Sequence, residues 1–115
     1  MLALAATLFV ALAHVAFMVV ETFLWTTPAI RKRFGQSEEQ ALATEVLAKN
    51  QGVYNGALAA ALGWAALSGE TRAQLVLLGF VIVVGVYGAA TAKRSILFIQ
   101  ALPAAVALVL TLLGL

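Results

Sequence analysis

Four apolar stretches, each about long enough to cross the hydrocarbon core of a bilayer, fill most of this 115-residue sequence. A helix needs roughly 20 apolar residues for that crossing. The stretches run from about Leu2 to Leu24, Val46 to Leu67, Ala73 to Ala92 and Ile96 to Leu113. Lipid-facing strands would alternate with a period of two, and these runs do not. Hydrophobic residues make up 63% of the chain and charged residues 10%, whereas a soluble domain is nearer half apolar and roughly a quarter charged. So short a chain has too little interior to hide that much apolar surface from water. The expected fold is therefore all-α: one transmembrane domain over residues 1–115, a four-helix bundle that crosses the cell (inner or plasma) membrane repeatedly, with the lipid bilayer as its solvent.

A cleaved signal peptide is the competing reading of the first stretch, and Ala11-Leu12-Ala13 resembles a cleavage site. No positive residue precedes it, however, and the apolar run continues to Trp25. The first helix is expected to be retained.

Basic residues orient the chain. Arg31, Lys32 and Arg33 lie in the first loop, with Lys49 just inside the second span. Lys93 and Arg94 lie in the third loop, while the second has only Arg72 beside Glu70. Basic loops stay in the cytoplasm, so the first and third loops are expected inside and both termini outside. Trp25 then sits at the inner interface and Trp64 near the outer one, where indole rings prefer to lie. In the long first loop, Ser37 and Gln40 have the spacing of a capping box, and Pro28 suits the exit from the first helix.

Helices in lipid associate through close contact and polar links, because lipid tails are as apolar as leucine. Gly52 and Gly56 form a G-x-x-x-G pair, extended by a strip of Asn55, Ala59 and Gly63. Gly85 and Ala89 repeat the pattern on the third helix, and Ala101, Ala104, Ala105 and Ala107 leave room on the fourth. Such strips serve either packing within one chain or a homodimer face. Pro103 removes a backbone donor and is expected to bend the fourth helix.

The most informative residues are the polar ones inside the spans. His14 and Glu21, seven residues apart, share a face of the first helix, which Trp25 continues. The second helix opens with Asn50, Gln51, Tyr54 and Asn55, stacked in pairs one turn apart. The third places Tyr87 and Thr91 one turn apart near its end, and the fourth carries Gln100 just before Pro103. With the expected topology, all of them fall in the cytoplasmic half of the membrane. His14 is deepest, about 10 Å from Glu21 along the axis, and the outer half is expected to be almost wholly aliphatic. A charged side chain at mid-helix costs about 2.5–3.5 kcal/mol on insertion scales, so Glu21 favours a partner or a proton. Blander roles are open to each residue: a histidine bonding across helices, Glu21 reaching water or pairing with Arg31 or Arg33, and amides acting as interhelical glue worth about 0.6 kcal/mol each. Their concentration in one half of the membrane favours a polar pocket opening toward the cytoplasm.

Several chemistries are excluded. Without cysteine there is no disulfide, thiolate nucleophile or thiolate metal site, and a single histidine leaves no multi-histidine metal or haem site. No metal or cofactor is expected. The net charge of +2 comes without a basic stripe, so no nucleic-acid partner is expected either.

His14 with Glu21 and Trp25, the string Asn50-Gln51-Gly52-Val53-Tyr54-Asn55-Gly56, Gly85-Val86-Tyr87-Gly88-Ala89-Ala90-Thr91, and Gln100 with Pro103-Ala104 resemble the small bacterial and fungal membrane proteins grouped as domain of unknown function 1304. The resemblance covers nearly the whole chain. It brings no activity with it; it implies membrane location and marks the same polar residues.

Three functions compete. The first is binding, and conversion by acid–base chemistry, of a small hydrophobic or amphipathic substrate, by isomerisation, cyclisation or epoxide opening. There Glu21 or His14 would carry the proton, and Trp25, Asn50, Gln51, Tyr54, Asn55, Tyr87, Thr91 and Gln100 would bind the substrate. This set loosely resembles, in residue types alone, the pocket of membrane sterol isomerases. The second is a proton-coupled exporter working as a dimer, similar in outline to small multidrug transporters. The third is a non-catalytic accessory or lipid-binding subunit.

Overall fold

The computed structural model describes residues 1–115, and every regular element in it is helical. Helix α1 covers Leu2–Val19 and continues as a π-helical turn, Val20–Leu24. Two short helices follow, α2 (Pro28–Phe34) and α3 (Glu38–Ala43), and then two long ones, α4 (Glu45–Leu67) and α5 (Thr71–Thr91). A second π-turn, Leu97–Ala101, leads into α6 (Leu102–Leu112).

Two helices are long and apolar enough to cross a membrane: Leu2–Leu24, of 23 residues, and Thr71–Thr91, of 21. The other two expected spans differ in identifiable ways. Helix α4 has the length, but Glu45, Lys49, Asn50, Gln51 and Asn55 crowd its first half and lower its hydropathy. The apolar helix Leu97–Leu112 falls short of the usual crossing length.

The helix ends follow local rules. Pro28 sits in the first turn of α2, where its missing N–H costs nothing. Gly35 ends that helix at φ 64°, in the left-handed region glycine tolerates best, and its N–H reaches the carbonyls of Arg31 and Lys32. Ser37 caps α3 by the expected box: its hydroxyl accepts from the Gln40 N–H at 3.1 Å, and the Gln40 side chain accepts from the Ser37 N–H at 2.9 Å. Gly69, at φ 72°, turns the chain between α4 and α5.

The chain divides into two compact units. The first comprises Met1–Ala13 and Leu58–Leu115. Its core joins Val10, Ala11, Leu62, Leu78, Val81, Ala104 and Ala107. The alanines let α5 and the last helix approach closely: a Cβ added at Gly85 would lie 3.0 Å from the Ala101 backbone nitrogen. This unit also holds a buried polar link that departs from the expected aliphatic outer half. The Thr7 hydroxyl donates to Gln74 Oε1 at 3.5 Å, and Gln74 Nε2 donates to the Ala65 carbonyl at 3.2 Å. Pro103 stands two residues after the second π-turn, in the same unit. Its ring conflicts with the carbonyl four residues back, that of Ile99, and Ile99 lies inside the second π-turn.

The second unit, His14–Ala57, contains the end of α1, both short helices and the first half of α4. Gly52 and Gly56 are used here, within the chain. A Cβ at Gly52 would come within 3.0 Å of the Thr22 backbone nitrogen and 3.1 Å of the Met18 carbonyl oxygen; one at Gly56 would meet Met18 Sδ.

Candidate functional site

The second unit gathers most of the polar residues singled out above. Glu21 is the second residue of the first π-turn. Such turns widen a helix locally and occur often at functional sites. Its Oε1 accepts a hydrogen bond of 2.5 Å from Asn55 Nδ2. One turn on, Trp25 Nε1 donates to the Thr44 hydroxyl at 3.1 Å, and that hydroxyl in turn donates to the Gln40 carbonyl at 3.0 Å. The indole packs on Phe34 with ring centroids 5.4 Å apart. Trp25 is thereby held from both sides, by α2 through its ring and by the end of α3 through its N–H.

These residues border a cleft of about 310 Å³ lined by Glu21, Trp25, Gln36, Thr44, Leu47, Ala48 and Gln51. Its walls are mixed: one carboxyl group, two amides and a hydroxyl stand beside leucine, alanine and an indole. Three buried polar atoms have no hydrogen-bond partner within the chain: Thr22 Oγ1, Arg31 Nε and Gln36 Oε1. All three lie in this unit, and Gln36 lines the cleft itself. A buried polar atom left unpaired costs about 1–3 kcal/mol, so the Gln36 oxygen at the cleft calls for an explanation.

The remaining candidates are placed differently. His14 is wholly buried two turns before Glu21, edge-on to Phe17 at 5.2 Å, and does not line the cleft. Asn50 is exposed, and Tyr54 is 79% exposed on the flank of α4. Tyr87, Thr91 and Gln100 belong to the first unit. Tyr87 is exposed, the Thr91 hydroxyl bonds back to the Tyr87 carbonyl at 2.8 Å, and Gln100 lies half-buried in the second π-turn. Sequence reasoning overlooked Gln36 and Thr44, which sit where a solvated loop was expected. The capping box was the available signal: it fixes α3 and hence the position of Thr44 at its end.

The family described as protein of unknown function (DUF1304) matches residues 8–112, and the chain belongs to it. It is also similar to the uncharacterised protein YpaA of Lactococcus lactis subsp. lactis (strain IL1403), 32% identical over 98 residues that cover 82% of each chain. No solved structure matches.

Proposed function

We propose that this member of the family is a multi-pass protein of the cell membrane that binds a small amphiphile in the Glu21 cleft and acts on it by acid–base chemistry. In this reading the chain crosses the bilayer four times as a helical bundle. Arg31, Lys32 and Arg33 of α2 and the Lys93–Arg94 pair after α5 mark the cytoplasmic side, and both termini lie outside. The cleft then opens at the cytoplasmic interface, where a ligand can keep its tail in lipid and bring its polar head to Glu21.

The observation that carries the reading is the setting of Glu21. One carboxyl oxygen is held by Asn55, and the side chain lines a cleft of mixed polar and apolar walls that holds a buried amide oxygen without a partner. A carboxyl group fixed in this way can pass a proton to or from a bound molecule, while Gln51 and Gln36 orient the head group. Glu21 is the proton carrier. His14, buried beside Phe17, supports the helix that presents it.

The test is native mass spectrometry of the wild type and Glu21→Gln in mild detergent. A small molecule retained by the wild type and lost from the variant supports the reading, and its structure names the reaction to assay. The same complement of bound molecules on both proteins would refute it.

A further inference from the structure

We infer that the cleft selects a primary ammonium head carried on a single apolar chain, and that Gln36 determines this specificity. The inference rests on the ligand-binding reading above and names the class of ligand.

Glu21 is the sole charged residue lining the cleft. The unit's basic side chains lie elsewhere: Arg31, Lys32 and Arg33 in α2, and Lys49 paired with Glu45 at 3.0 Å in α4. Glu38 and Glu39 occupy the first turn of α3, also outside the lining. A cationic head complements such a site and an anionic one is repelled. Charge alone would admit any cation, but Gln36 narrows the choice. Its buried Oε1 has no partner within the chain, and an amide oxygen is satisfied only by an N–H or O–H donor. The Thr44 hydroxyl, already accepting from Trp25 and donating to Gln40, retains one acceptor site and no free proton. Glu21, Thr44 and the unpartnered Gln36 oxygen therefore present acceptors, beside the Gln51 amide, which can both donate and accept. A primary ammonium brings three donors and a positive charge; a quaternary ammonium brings the charge with no donor, and an alcohol brings one donor with no charge. Leu47, Ala48 and the indole of Trp25 supply the apolar wall for the chain.

The full-length protein with Trp64→Phe leaves Trp25 as its single tryptophan, at the cleft. Its emission in detergent is followed while decylamine, decyltrimethylammonium, decanol or decanoate is added. Decylamine is expected to bind at least about tenfold more tightly than the other three, the size of effect that one charge-assisted hydrogen bond confers. Gln36→Leu is expected to remove that advantage and leave decyltrimethylammonium unchanged, while Gln36→Glu, which keeps an acceptor, should strengthen decylamine. Decyltrimethylammonium or decanol binding as tightly as decylamine would overturn the inference, as would an unchanged decylamine affinity in both Gln36 variants. If Glu21→Gln still weakens binding in that case, only the role of Gln36 and the ammonium preference fall. If Glu21→Gln is also without effect on all four probes, the ligand-binding reading falls with them.

Discussion

Asn55 Nδ2 donates to Glu21 Oε1 at 2.5 Å, joining the π-turn at the end of α1 to the third turn of α4. The bond links residues 34 positions apart in sequence, so it acts as a tertiary clamp within the second unit.

Removing one partner of this clamp should be costly, and removing both should cost less than the sum. Asn55→Ala is expected to lower stability by about 1–2 kcal/mol, since it strands a half-buried carboxyl group. Glu21→Gln keeps an oxygen that can accept from Asn55, so it should lose less. A double-mutant cycle read by denaturant unfolding in detergent checks this. Strict additivity of Glu21→Ala and Asn55→Ala would show that the bond contributes nothing.

The glycines of α4 should differ sharply in their tolerance of a methyl group. At Gly52 the added Cβ meets the backbone of Thr22 and Met18, which cannot step aside, so Gly52→Ala is expected to cost about 2–3 kcal/mol. At Gly56 it meets the flexible end of Met18, and the cost should stay below about 1 kcal/mol. Gly63 faces nothing within reach, so Gly63→Ala should be neutral or gain up to about 1 kcal/mol from helix propensity. Thermal unfolding of the three variants gives the ranking, and equal losses at Gly52 and Gly63 would contradict the packing described.

Thr44→Val should release the Trp25 indole N–H. In a Trp64→Phe background the Trp25 emission is expected to shift, with a stability loss of about 1 kcal/mol for the lost hydrogen bond. An unchanged spectrum would mean that Thr44 does not hold the ring.

The proposed topology can be tested because the chain has no cysteine of its own. Glu39→Cys in α3 and Ser68→Cys between α4 and α5 are treated with a membrane-impermeant maleimide. Ser68→Cys should be labelled in intact cells, and Glu39→Cys only after permeabilisation. The reverse pattern would invert the orientation, and labelling of both in intact cells would remove the four crossings.

Much of the helical framework was legible in the sequence. The apolar runs predict helices where α1, α4, α5 and α6 form, and Ser37 with Gln40 predicts the start of α3, because caps depend only on neighbours in the chain. Helix α2 was hidden: three consecutive basic residues read as a loop, yet Pro28 and Gly35 bracket a helical turn. Helical spacing also brought Glu21 and Asn55 under suspicion, although their pairing depends on which faces of α1 and α4 meet through Gly52 and Gly56. The same spacing could not show that Tyr54 and Tyr87 turn outward, since face assignment needs the partner helix. The link from Thr7 through Gln74 to Ala65 was invisible for a related reason: a threonine and a glutamine near the starts of two apolar helices carry no mark of being neighbours.

The two π-turns have a consequence for register. Each closes its hydrogen bonds over one residue more than an α-helical turn does. Residues beyond it are therefore out of phase with those before it by about 100°, the rotation of a single α-helical residue. Excising one residue from Val20–Leu24 would restore an unbroken α-helix and swing Trp25 by that angle away from Thr44 and Phe34. The same excision in Leu97–Ala101 would turn Ser95 and Ile96 by that angle relative to Ala104 and Ala107, which the core shared with Leu78 and Val81 holds in place. A single-residue deletion, harmless in most loops, would here re-aim the side chains at a helix end.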